Sequence, residues 1–213
     1  LHSLRARAKF SLGDYQGAIN DHSKAIEIYP TDIYAWFYRG AAKIGLEDYQ
    51  GAIDDFSKAI ELDPKRFFKE HKNAYKNRGF TKIILKDYQG AIDDISKAIE
   101  LDPQNVELEY TYRARAKFSL GDYQGAIDDH SKAIELDPKN PDTYISRALC
   151  KKFSKDYQGA IDDFSKAIEL DPENPEFYIK RGYVRSRYSR VRDYQGAIDD
   201  YTKAIELDPE NPE

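Results

Sequence analysis

The stretch Asp48-Tyr49-Gln50-Gly51-Ala52-Ile53-Asp54-Asp55-Phe56-Ser57-Lys58-Ala59-Ile60-Glu61-Leu62-Asp63-Pro64 recurs, with small changes, six times in a chain of 213 residues. Its Asp-Tyr-Gln-Gly openings fall at Asp14, Asp48, Asp87, Asp122, Asp156 and Asp193, so the copies are spaced by 34, 39, 35, 34 and 37 residues. Each copy reads as one helix. Asp48 is suited to N-cap it, Ala52, Ile53, Phe56, Ala59 and Ile60 share one face at helical spacing, and Pro64 stops it. Asp54 and Lys58 stand one turn apart on the opposite face in the favourable acid-before-base order. Gly51 in the first turn is expected to be a small local cost. A period of this length points to a solenoid of helical hairpins.

Motif and period together resemble the tetratricopeptide repeat (TPR) family over essentially the whole chain, through the 34-residue spacing, the Asp-Tyr pair, Ala52, Ala59 and Pro64. The resemblance implies an all-α fold: a right-handed superhelical solenoid of six helix-turn-helix repeats. In the family, the first helices line a concave groove that holds a peptide segment of a partner protein. The repeats fall at about 1–30, 31–64, 65–103, 104–138, 139–172 and 173–209 of a single array. The chain enters in mid-repeat, and Asn211-Pro212-Glu213 reproduces the opening of repeats five and six, so it reads as a fragment of a longer array. Open ends would permit end-to-end self-association.

Copies three and six carry extra residues. Those after Pro64, within Lys65 to His71, are expected to extend the next helix at its N-terminus, with Phe67 and Phe68 either folding over the preceding repeat, the favoured reading, or projecting as a contact for a partner. Those within Ser186 to Arg192 are expected to lengthen a first helix or the turn after it. Arg5 to Tyr15 reappears unchanged at Arg113 to Tyr123, consistent with duplication of a three-repeat block.

Composition bounds the function. A hydrophobic content of 40% can supply a sizeable core, which a solenoid buries between neighbouring repeats. The single Cys150 excludes an internal disulfide framework and fits a reducing, cytoplasmic setting. No apolar run approaches the roughly 18 residues of a membrane span. A net charge of −5 conceals segregation: the six stretches from Asp to Leu-Asp (Ile-Tyr in the first copy) hold 28 acidic residues and 6 Lys, leaving the first helices basic.

Each first helix has an Arg followed by Gly or Ala, and each second helix offers an Asp. Structural pairs Arg39 with Asp55, Arg78 with Asp94, and Arg113 with Asp129 are therefore expected, in preference to a basic ladder for phosphates. The groove positions of the family, carried onto this sequence, give Phe37, Tyr38, Asn77, Phe80, Tyr112, Arg115 and Lys152 as the candidate peptide-binding set. Further positions of the same kind are Tyr34, Ala41, Ile44, Asn73, Lys76, Ile83, Ile84, Leu108, Thr111, Phe118, Ile145, Leu149 and Phe153, with Ile179, Lys180, Tyr183 and Arg187 in the last repeat. Aromatic rings would supply apolar area, Asn77 would bind peptide backbone, and Arg115 and Lys152 would meet negative charge. Such a surface suits a protein or peptide with apolar anchors and acidic groups. The Lys and Asn set with which chaperone-binding family members clamp a C-terminal carboxylate is not matched by any three successive repeats.

His22 and His130 lie on the apolar face of second helices and are expected to be satisfied interior histidines. With His2 and His71 in other repeats, no metal-ligand spacing arises. Cys150 stands at a small-residue position and reads as a packed thiol. Phosphate-cradling glycine loops and acid-base or nucleophile constellations are missing, so neither catalysis nor a cofactor is expected. Nucleic-acid binding through the basic first helices ranks below protein binding, because Asp partners would take up the Arg charges.

Overall fold

The computed structural model describes residues 1–62, 68–104, 106–188 and 193–210, with backbone alone for 68–70. Asp63-Pro64, Lys65 to Phe67, the ring of Phe68, Asn105, Ser189 to Arg192 and Asn211-Pro212-Glu213 lie outside the described residues. What was expected of Phe67 and Phe68, and of a seventh-repeat opening, therefore lies outside them too.

The described residues form twelve α-helices and no strand. They group into two compact units, Leu1–Ala116 and Lys117–Glu213. The first unit holds α1 (His2–Ser11), α2 (Tyr15–Ile28), α3 (Ile33–Gly45), α4 (Tyr49–Glu61), α5 (Phe68–Ile84), α6 (Tyr88–Leu101) and most of α7 (Glu107–Ser119). The second holds the end of α7 with α8 (Tyr123–Leu136), α9 (Pro141–Phe153), α10 (Tyr157–Leu170), α11 (Pro175–Arg187) and α12 (Tyr194–Leu207). Within the first unit α1 packs on α2, α3 on α4 and α5 on α6, and α2 and α4 also pack on the first helix of the next repeat. The second unit repeats this with α9 on α10, α11 on α12, and α8 and α10 on the helix that follows.

One Asp per repeat organises the hairpin. Asp48 N–H donates to Lys43 O (2.9 Å) and Glu47 N–H to Ile44 O (3.0 Å), which closes α3 with a Schellman pair. The Asp48 carboxylate then accepts from Gly51 N–H at 3.0 Å and caps α4. The same construction occurs at Asp14, Asp87, Asp122 and Asp156. It forces the preceding residue into left-handed backbone: Gly13 and Gly121 adopt φ of 78° and 81°, but Glu47, Lys86 and Lys155 adopt 61°, 62° and 68°. Gly51 is more than the propensity cost expected of it, because a Cβ there would collide with the Asp48 carboxylate. The surface pairing also differs from expectation. Lys58 bonds Glu61 at 3.0 Å, while Asp54 accepts from Gln50 at 3.0 Å and so is engaged on the other side.

The core lies between repeats. Phe56 is fully buried among Ala52, Ala59, Ile33 and Ala74, the last from the following repeat. Ile95 packs with Ile83, Ala91 and Ala116, and Phe164 with Tyr144, Ala148, Ala160 and Phe177. Each hairpin thus leaves its apolar face to its neighbour, which is why the repeat is not a unit that folds alone. The Tyr of Asp-Tyr adds to this joint: Tyr123 stacks on Phe153 at 5.5 Å and Tyr157 on Tyr188 at 5.0 Å.

The extra residues of copy three do extend a helix: α5 has 17 residues against 13 in α3 and α7. In copy six α11 keeps 13 residues and closes at Tyr188, and the rest of that insertion, Ser189 to Arg192, lies outside the described residues.

Candidate functional site

Basic residues on the first helices divide into two classes. The first is consumed by the scaffold. Arg39 grips Asp55 with two parallel hydrogen bonds, Nε at 2.8 Å and Nη2 at 2.7 Å. Lys43, one turn on, holds the same carboxylate at 2.9 Å and also donates to Gly51 O at 3.1 Å. Equivalent triads are Arg78 and Lys82 on Asp94, Arg147 and Lys151 on Asp163, and Arg181 and Arg185 on Asp200. In the first hairpin Arg5, hydrogen-bonded to Asp21, and Lys9 beside it hold that carboxyl well below the usual carboxylate range. Asp129 is buried and held by Lys117 at 2.8 Å.

The same guanidinium also ties successive repeats together. Arg39 Nη1 donates to Ser23 of the preceding repeat at 3.0 Å, Arg78 to Ser57 at 2.8 Å, Arg113 to Ser96 at 3.0 Å, Arg147 to Ser131 at 3.0 Å and Arg181 to Ser165 at 2.9 Å. Its plane lies over the aromatic residue three positions earlier, Arg39 over Trp36 at 4.7 Å and Arg147 over Tyr144 at 5.7 Å. Arg5, Arg39, Arg78, Arg147 and Arg181 thus each bond an Asp inside their own hairpin, and Arg113 makes the inter-repeat bond to Ser96. Sequence reasoning found the Arg to Asp pair but missed the second base. Its signal was present: a Lys or Arg follows four residues after every one of the six arginines.

The second class faces outward beside aromatic rings. In the first unit Tyr38 lies under Arg7 (5.4 Å) and is stacked on His22 (6.0 Å, 14°), with Phe37 edge-on to it at 5.2 Å. Phe37 is partly spent on the core through Phe56 at 5.7 Å. Phe80 and Tyr112 form a second pair at 5.1 Å. Asn77 is half-buried one turn before Phe80, and Arg115 is exposed. Six of the seven expected peptide-binding residues therefore lie in the first unit, as two ring pairs with Asn77 and Arg115. The seventh, Lys152, lies in the second.

In the second unit a recess of about 190 Å³ opens between α9, α10 and α11, lined by Leu149, Lys152, Phe164, Ile179, Lys180, Tyr183 and Val184. Lys152 Nζ sits 4.9 Å from the centre of the Phe153 ring and 5.8 Å from that of Tyr183, which also faces the Arg187 guanidinium at 5.7 Å. Phe164 and Val184 were not among the expected groove positions.

The buried histidines correct an expectation. His22 and His130 are interior, but His22 Nδ1 and Nε2 and His130 Nδ1 have no hydrogen-bond partner among the described residues. Burial lowers the pKa of both, that of His130 to about 4. Burial also pushes the Cys150 thiol up to about 11. Among the described residues no group of three His, Cys, Asp or Glu could hold a metal ion, and no helix is long and apolar enough to cross a membrane.

This architecture, helical hairpins closed by buried ion triads and tied to one another through Arg to Ser hydrogen bonds, with aromatic and cationic side chains left over on the first helices, defines a repeat scaffold for macromolecular interaction. Tetratricopeptide repeat profiles match residues 33–66 and 73–105, 114–150 and 154–187, and 188–211, and the chain belongs to the TPR family. Solved structures share the fold. A MamA crystal structure superposes with a TM-score of 0.74 at 23% identity, over 84% of this chain and 92% of that one. YrrB, described as a TPR protein with an unusual peptide-binding site, gives 0.73 at 20% identity over 89% and 93%. The C-terminal part of a TPR repeat-containing protein from Cytophaga hutchinsonii gives 0.84 at 20% identity over 95% and 78%. No curated protein matches the sequence.

Proposed function

We propose that this protein is an interaction scaffold whose first-helix faces hold a peptide segment of a partner protein, with Phe37, Tyr38, Asn77, Phe80, Tyr112 and Arg115 forming the contact surface of the first unit. The observation that carries this reading is the division of labour among cations. Recurring bases of the first helices serve the buried Asp of their hairpins, whereas Arg7 and Lys152 stand over aromatic rings without a carboxylate partner among the described residues. Aromatic rings beside unneutralised cations are surface of the kind found in protein-binding hot spots. The partner segment would bring apolar anchors for the rings and acidic groups for the cations. YrrB, which shares the fold at 20% identity, has a peptide-binding site of its own.

The test is capture from nuclease-treated lysate of the source cell by the intact chain and by a Phe80→Ala, Tyr112→Ala, Arg115→Glu variant. A discrete protein retained by the first and lost by the second supports the reading. Equal capture by both, or retention of nucleic acid instead of protein before nuclease treatment, counts against it.

A further inference from the structure

We infer that the recess between α9, α10 and α11 receives one large apolar side chain of a partner polypeptide that carries an Asp or Glu immediately beside it. The inference rests on the peptide-binding reading above and assigns that reading a specific pocket and a specific local sequence chemistry. A cavity of about 150 Å³ lined by aliphatic and aromatic carbon accepts a benzene-sized guest. The recess here, open to solvent at its mouth, measures about 190 Å³, with Leu149, Phe164, Ile179 and Val184 as hydrocarbon lining. It therefore has room for a leucine- or phenylalanine-sized side chain and offers that group nothing to hydrogen-bond.

Its rim is cationic. Lys152 Nζ, above Phe153 and Tyr183, has no carboxylate partner among the described residues, and neither has Arg187 on the Tyr183 ring. Lys180 is bound at 2.6 Å to Glu176, but that carboxylate is 64% exposed and one helical turn away, the type of pair that contributes little and exchanges readily. Charge at the mouth is thus unbalanced in one direction, unlike that of the neighbouring Arg147, Lys151 and Asp163 triad. An incoming carboxylate would complete at Lys152 the pairing that the scaffold completes elsewhere with Asp. A basic neighbour would be repelled, so the recess selects by charge as well as by volume.

The test is selection of a displayed library of random peptides on the full chain, followed by affinity measurements with a synthetic consensus peptide. Leu149→Trp fills the recess and Lys152→Glu reverses its rim. Lys152 is not engaged by the core, so its variant reports on binding even where the bulkier one disturbs folding. The expected result is a shared Leu, Ile or Phe next to Asp or Glu, with affinity falling about tenfold or more in either variant. Peptides without a shared pattern, with Lys or Arg beside the apolar residue, or with affinity unchanged in Lys152→Glu would overturn the assignment. If the captured partner still depends on Phe80, Tyr112 and Arg115 while selected peptides ignore the recess, the pocket assignment fails and the scaffold reading survives. If neither binds, both fail.

Discussion

Replacing His130 by Phe should make the protein less sensitive to acid, by an amount fixed by the surroundings of that ring. His130 is 4% exposed on α8, where the equivalent positions of α4 and α10 hold Phe56 and Phe164, so His130→Phe places a ring the repeat already accommodates. Burial lowers its pKa to about 4, a shift opposed by Asp129 and Asp163 and aided by Arg147. An unfolded chain titrates this group at about 6.5. Above that value neither state binds the proton, and the stability is complete. Between about 6.5 and 4 the unfolded state alone takes it up, so stability falls with decreasing pH. Linkage gives a loss of about 2 kcal/mol by pH 5 and about 3 kcal/mol below pH 4, specific to this side chain. Urea unfolding followed by far-UV circular dichroism would measure it as the difference between His130→Phe and the unsubstituted chain. The carboxylate titrations common to both cancel in that difference. A gap that widens by about 2 kcal/mol from neutral pH to about pH 5 is expected. A gap that stays constant or narrows would refute the claim that a neutral imidazole with its Nδ1 unpartnered is buried there.

Other consequences are equally local. Asp163→Ala leaves Arg147 and Lys151 facing each other without their carboxylate and should cost about 3–5 kcal/mol in the same unfolding assay. Gly159→Ala should fail to deliver the roughly 1 kcal/mol that helix propensity promises, because the methyl would displace the Asp156 cap, yet should deliver it in an Asp156→Ala background. Unfolding of the four chains in a double-mutant cycle measures that coupling. Lys155→Gly relieves a left-handed residue at φ 68° and should stabilise by about 1 kcal/mol, read as a shift in the urea midpoint. Cys150, 2% exposed and with its thiol pKa raised to about 11, should resist alkylation in the native state at mildly alkaline pH and react at once in denaturant.

The repeat and its helices were legible because they rest on local rules: an Asp cap, apolar spacing and a Pro stop recurring at a fixed interval. Where the reading used one neighbour and the molecule uses two, it fell short. Gly51 looked like a propensity cost because the cap carboxylate above it was not considered. Asp54 looked like a partner for Lys58 until Gln50 and Glu61 were placed on the same helix surface. The pairing of Arg39 with Asp55 could be inferred from recurrence, yet Lys43 and Ser23 completed it from the next turn and from the preceding repeat. The two histidines were recognised as interior from the apolar face they share, but no pattern along the chain reveals whether a ring nitrogen finds a partner. Leu149, Lys152, Ile179, Lys180 and Tyr183 of the recess fell among the expected groove positions. Its volume depends on how α9, α10 and α11 close on one another, which spacing alone does not encode.

The measurement closest to the central claim is site-specific photo-cross-linking in source-cell lysate. A photoreactive residue at Tyr112, on the first-helix face, is compared with one at Lys58, on the solvent side of α4. The account predicts a discrete cross-linked protein from position 112 and none from position 58, with the bound segment holding an acidic residue beside an apolar one. Cross-linking from position 58 alone, or equally from both, would contradict the assignment of partner binding to the first helices.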